Sequence, residues 1–242
     1  MSDPASRILA ALAAVESERA RRAAAPGFAA TVESLKSWQQ RRFARTHADL
    51  LEHPRFGRAA RFFLDELYGP QDFARRDAEF GRIVPAVVRL FPEDIVLTVE
   101  ALAEVHALSE RLDGAMAARL AGPTIDGPAY VRAWQAVGEP QAREHQIELA
   151  MVVGRALERH VRSRVLRASL KAMRGPARAA GLGTLQAFLE TGFDAFAAMR
   201  GADEFLGTIE RRERALGARL FEPTAEQAAA APAADDPLAA LP

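Results

Sequence analysis

Four glycine–proline junctions, Pro26-Gly27, Gly69-Pro70, Gly122-Pro123 and Gly175-Pro176, cut this chain into helix-length pieces. Glycine takes the left-handed conformation that closes a helix, and proline cannot continue one. Between the junctions apolar residues recur every three or four positions, and no stretch alternates as a half-buried strand would. Alanine, leucine, arginine and glutamate dominate, side chains that lose little rotamer freedom in a helix. The pattern predicts an all-α fold, a bundle of about eight or nine helices.

Ile8, Leu12 and Val15 mark the first helix, and Thr31 is the expected cap of a second that carries Val32, Leu35 and Trp38. A third starts at Pro54 with Phe56, Ala60, Phe63, Leu64 and Leu67 on one face. Asp72 is placed to cap a fourth, which should kink or end near Pro85. A fifth runs from Pro92 towards Leu120, a shorter one spans 128–137, and the longest runs from 141 to Arg174. Two more cover 183–199 and 203–221, where Phe188, Leu189, Phe193, Phe196, Phe205 and Ile209 read as core. Residues 1–221 are expected to form a single helical domain. Residues 222–242, rich in alanine, proline and acids without an apolar period, are expected to form a disordered tail.

With 242 residues, no cysteine and zero formal net charge, the chain has no thiolate chemistry and no general basicity for nucleic acid. The N-terminus is too charged for a signal peptide, and no uncharged run is long enough to span a bilayer. The expected protein is cytoplasmic, with no membrane association. Glu-x-x-His, paired histidines four apart, Gly-x-Ser-x-Gly and the phosphate loop are all missing from the sequence. "GLGTLQ" at 181–186 lacks the third glycine and the preceding strand of a dinucleotide fingerprint. No catalytic residue, metal ligand or cofactor is therefore assigned.

Three groups remain as candidates. Residues 141–180 carry nine Lys/Arg against three acids, whereas 92–127 carry two against seven and 181–242 five against ten. Projected on one long helix, Arg164, Arg167, Lys171 and Arg174 share a basic face, distinct from a core stripe of Leu157, Val161, Val165, Ala168 and Ala172. That face suits an anion or an acidic protein partner, or it pairs with the acidic blocks, within the chain or across a homodimer. It lacks aromatic residues for base stacking, which disfavours nucleic acid.

The second group is an arc of the fifth helix on which Ile95, Val99, Leu102, His106, Ser109 and Asp113 align. His106, Ser109 and Asp113 read as a buried polar network, as the polar contacts of a pocket, or as general-acid equipment.

The third is the junction "FFLDELYGPQDFARR", which sets acids at a helix C-terminus and arginines at the next N-terminus, against both dipoles. It is expected to clasp Asp65 and Glu66 to Arg75 and Arg76 across the Gly-Pro turn, with Asp77 reaching Arg42 or Arg61. Tyr68 and Asp72 would join the cluster if it held a ligand.

The stretches 38–80 and 173–196 resemble an uncharacterised family of proteobacterial proteins marked by a Phe-Phe-Leu-x-Asp/Glu-Leu-Tyr-Gly-Pro run. The resemblance implies a bacterial, cytoplasmic protein and brings no activity, cofactor or site residue with it. The sequence therefore points first to a non-catalytic helical binding protein for a protein partner or an anionic ligand. Its alternative is an enzyme, or a carrier of a cofactor or apolar ligand, with a pocket between helices.

Overall fold

A computed structural model describes residues 3–66, 69–71 and 73–242, and it is all-helical, with no strand among the described residues. α1 (Pro4–Ala23) is capped by the Asp3 carboxylate, which accepts from the Ala5 and Ser6 amides, and buries Ile8, Leu12 and Val15. α2 (Pro26–Thr46) starts five residues before the expected Thr31 cap. A proline fits the first turn of a helix, where its missing N–H is not needed, so the Pro26-Gly27 junction opens α2 as well as closing α1. Thr31 lies one turn inside, donating to the Gly27 carbonyl at 3.0 Å.

The next segment divides into α3 (Ala48–Glu52) and α4 (Gly57–Glu66), the latter beginning three residues after Pro54. Phe56, Ala60 and Phe63 are buried as the spacing requires, and Leu67 lies outside the described residues. α5 (Ala74–Leu90) continues through Pro85 instead of ending there, because only one hydrogen bond is lost and Val84 and Val87 anchor both sides of it. α6 (Glu93–Ala117) and α7 (Gly127–Val137) match the expected spans closely.

The longest expected helix is three. α8 (Pro140–Val161), α9 (Arg164–Ala172) and α10 (Arg174–Ala179) replace it. The break falls at Ser163, whose hydroxyl caps α9 by accepting from the Leu166 amide at 3.2 Å. The change of direction takes Val165 out of the core stripe and leaves it 77% exposed. α11 (Gly183–Met199) and α12 (Asp203–Leu220) follow, separated by left-handed Arg200 and Gly201. These divisions explain why the helices outnumber the eight or nine expected.

The C-terminal segment is folded where disorder was expected. α13 (Ala225–Ala230) packs on α7, and a 3-10 turn (Pro237–Ala240) packs on α2 and α12. Ala225 and Leu238 are fully buried, and Asp236 pairs with Arg219 at 2.9 Å. Widely spaced apolar anchors, too few to show a period, hold this segment down.

α6 and α8 pack along each other, with α1 on the far side of α6 and α12 on the far side of α8. α5 lies on α1, and α4 and α11 close the remaining flank. Gly192 permits that closure, since a β-carbon there would stand 2.9 Å from the Phe62 ring. Buried Glu79 of α5 accepts from the Leu185 amide at 2.8 Å, so it fills the N-terminus of α11. Three hydrophobic clusters result: around Phe56, Phe63 and Phe205; around Trp38, Tyr130 and Leu220; and around Ile8, Leu12 and Val84. Among the described residues no helix is long and apolar enough to cross a membrane.

Candidate functional site: an interhelical cavity

The helices line a partly open cavity of about 960 Å³, walled by α5, α6, α8 and α11 and reached by side chains of α2, α7, α9 and α12. Most of its lining is apolar, including Phe80, Leu102, Val153, Leu157, Phe188 and Phe193. The arc read from the sequence faces it throughout: Ile95, Val99, Leu102, His106, Ser109 and Asp113 all line the cavity. α6 also carries a buried stripe, Val96, Ala103, Glu110 and Ala117, each seven residues from the last, of which Ala103 and Glu110 reach the cavity as well. One helix therefore serves as both core and cavity wall.

His106 Nε2 lies 2.8 Å from Asp77 Oδ2, and Arg19 donates to the same carboxylate oxygen. Burial works to raise the Asp77 carboxyl, but the bonds and charges of His106 and Arg19 outweigh it and hold it at about 2. Ser109 donates to the Val105 carbonyl at 2.7 Å and accepts from Gln146 at 2.7 Å. Its proton is committed to the backbone, which makes it a wall contact and not an activated nucleophile.

Asp113 sits deeper. Burial pushes its carboxyl upward towards the neutral form, against the attraction of Lys36, and the Gln39 amide lies near both it and the Tyr130 hydroxyl. Around it are Glu110, shared by Arg22 and Lys36, and Glu213, shared by Arg42 and His47. Burial opposes ionisation of both acids, yet Lys36 and Arg22 keep Glu110 low, and Arg42 and His47 hold Glu213 at about 2.

Arg143 differs from these. It is 6% exposed, lines the cavity, and forms no ion pair with a described carboxylate, while its Nε and Nη2 lack hydrogen-bond partners. Its guanidinium carbon stands 4.0 Å from the centre of the Trp134 ring. Burial works against its charge, opposed only at longer range by Tyr130, Asp113 and Glu139. Lys36, Gln39, Tyr130 and Arg143 were not candidates in the sequence, and Arg42 entered only as an alternative partner of Asp77. A signal existed for Arg42, which falls on the apolar stripe of Leu35 and Trp38, and all three are buried.

The other candidate groups lie elsewhere in the fold. Arg164, Arg167 and Lys171 sit on α9 with no ion-pair partner among the described residues, whereas Arg174 is on α10 and grips Glu190 at 2.7 Å. The four do not form one helical face, because the helix beneath them is broken. At the junction, Arg76 reaches the Glu66 carboxylate at 3.7 Å and its carbonyl at 3.4 Å, so half of the expected clasp forms. Arg75 turns instead to Glu79 one turn on, and Asp65 has no ion pair among the described residues. Asp77 takes Arg19, Arg76 and His106, because Arg42 is held by Glu213 and Arg61 donates to the Leu51 carbonyl. Tyr68 and Asp72 lie outside the described residues. Arg76 also lines the cavity and stacks between Phe73 and Phe188, at 4.0 and 4.6 Å. Among the described residues no group of histidine and acidic side chains is arranged to hold a metal ion.

The site is thus a mostly apolar interhelical cavity with a few charged and polar groups in its wall. Residues 18–227 match the family described as Domain of unknown function (DUF8198), and the chain belongs to that family. Neither the curated proteins nor the solved structures yield a match.

Proposed function

We propose that this protein binds an apolar small molecule inside the helical bundle. The observation that carries this reading is the cavity of about 960 Å³, reached by His106, Ser109 and Asp113. That volume lies at the upper end of ordinary small-molecule sites, which are also mostly apolar with a few placed polar groups. Well-packed cores hold few voids larger than a water molecule, so a space this size argues for an occupant. The geometry favours binding over catalysis: Ser109 has its proton on a backbone carbonyl, and His106 is tied to Asp77. The protein partner first suggested by the basic residues is less well supported, since Arg174 is taken by Glu190.

A neutral environment-sensitive dye such as N-phenyl-1-naphthylamine tests the reading. The wild type should bind it saturably with an enhanced, blue-shifted emission. Val153→Phe and Leu102→Trp, which fill the cavity from half-buried positions on α8 and α6, should abolish binding while circular dichroism stays unchanged. Equal binding by folded variants and wild type would reject the cavity as the site.

A further inference from the structure

We infer that the cavity's inner end is built for a carboxylate head group, seated on Arg143 with the Tyr130 hydroxyl and Gln39 beside it. This rests on the reading of the cavity as a small-molecule site and specifies the ligand as an amphipathic monoanion with an apolar body.

The first support is Arg143 itself. A buried guanidinium without a carboxylate is costly, because its lost hydration is not replaced. Here Nε and Nη2 are buried without any hydrogen bond, and the side chain lines the cavity. Every other buried cation of this region has an acid: Arg22 and Lys36 share Glu110, and Arg42 has Glu213. Asp113, the acid facing Arg143, is pushed towards its neutral form. Burial thus disfavours the charge of the one acid beside Arg143, and an entering anion would supply the partner that the guanidinium lacks.

The second support is shape. Trp134 covers one face of the guanidinium at 4.0 Å, and a guanidinium edge matches a planar, two-oxygen partner. Trp38 stacks on the Tyr130 ring at 4.1 Å and fixes the hydroxyl beside Gln39. The lining also carries Leu102, Val153, Leu157 and Phe188, apolar surface that suits a hydrocarbon body, while its other charged group, Arg76, Asp77 and His106, is already paired within itself.

Titration calorimetry of the full chain with dodecanoate, dodecanol and dodecyl phosphate, at about pH 8 where the carboxylate is ionised, tests the assignment. Dodecanoate should bind at least about tenfold more tightly than dodecanol, the worth of a charge-assisted hydrogen bond. Arg143→Gln should erase that preference while leaving dodecanol affinity intact, and Tyr130→Phe should reduce it without removing it. Arg143→Lys, which keeps the charge in place of the fork, should retain part of the preference and guards against misfolding of the glutamine variant. Equal binding of acid and alcohol by the wild type, or an undiminished preference in folded Arg143→Gln, would overturn the head-group seat alone. Tighter binding of dodecyl phosphate would overturn its assignment to a carboxylate. Failure of all three compounds to bind would remove the cavity reading, and this inference with it.

Discussion

His106 on α6 and Asp77 on α5 meet at 2.8 Å across an interface formed by residues 29 apart in the chain. The same carboxylate takes Arg19 from α1, so one buried acid ties three helices together beside the cavity. Asp77→Asn keeps the shape but removes the charge that balances Arg19 and Arg76. Breaking a buried pair from one side costs about 3–5 kcal/mol, and urea unfolding of the variant should show a loss of that order. A loss within about 0.5 kcal/mol, typical of a surface change, would mean that the tie is not structural.

The acid sensitivity of that tie follows from its sign. Asp77 and Glu213 are both held at about 2 in the fold, below the roughly 4 of an unfolded carboxylate. A depressed carboxylate contributes stability above its unfolded value and loses it as pH falls towards its folded one. The stability gap between wild type and Asp77→Asn should therefore stay constant above about pH 4 and close towards pH 2. Urea midpoints of both proteins across this range check it, and a gap that widened on acidification would contradict it.

The sequence made some of this legible and hid the rest for physical reasons. The arc from Ile95 to Asp113 could be read because helical projection is local, and all six of its named members face the cavity. The helix boundaries at Pro26-Gly27 and Gly122-Pro123 were readable too, since those residues act on their own backbone, whereas Gly175-Pro176, expected to stop a helix, lies in the first turn of α10. The break at Ser163 carries no glycine or proline, and a serine between arginines reads equally well as helix surface or cap. Asp77 with Arg19 and Arg42 with Glu213 are 58 and 171 residues apart, and pairings of that kind have no local signature. Arg143 was hidden for the opposite reason: it matters because it lacks a partner, which only packing reveals.

Arg143 should reduce the stability of the ligand-free protein. Arg143→Met keeps an apolar stem against Trp134, removes the unpaired buried charge and gives up a cation–π contact worth about 0.5–2 kcal/mol. Exchanging buried charges for well-packed apolar groups is often neutral or stabilising by about 1–4 kcal/mol. The variant should melt at or above the wild-type temperature by calorimetry. A destabilisation beyond about 2 kcal/mol would show that the guanidinium has a stabilising partner in the folded chain.

The C-terminal segment provides a plain test of order. Leu238 is fully buried in the cluster around Trp38 and Tyr130. Truncating a buried leucine to alanine costs about 2–5 kcal/mol, whereas the same change in a disordered tail costs nothing. Leu238→Ala should lower the urea midpoint accordingly, and Asp236→Asn, which weakens the pair with Arg219, should lower it less. An unchanged midpoint for Leu238→Ala would mean that the segment is not docked in solution.

α9 should be the part of the wall that opens first. Leu166, Ser169 and Leu170 line the cavity from it, yet none of its nine residues is buried and its basic side chains have no acidic partners among the described residues. Few buried contacts mean a low local opening free energy, so its amides should exchange at least about tenfold faster than those of α6 or α8. The covering is held by apolar contact with the cavity rather than by ion pairs. A bound hydrocarbon would extend that contact and slow exchange in α9 more than in any other helix. Hydrogen exchange with and without dodecanol measures both effects. Ligand-induced protection confined to α5 or α11, with α9 unchanged, would place the entrance on another side of the bundle.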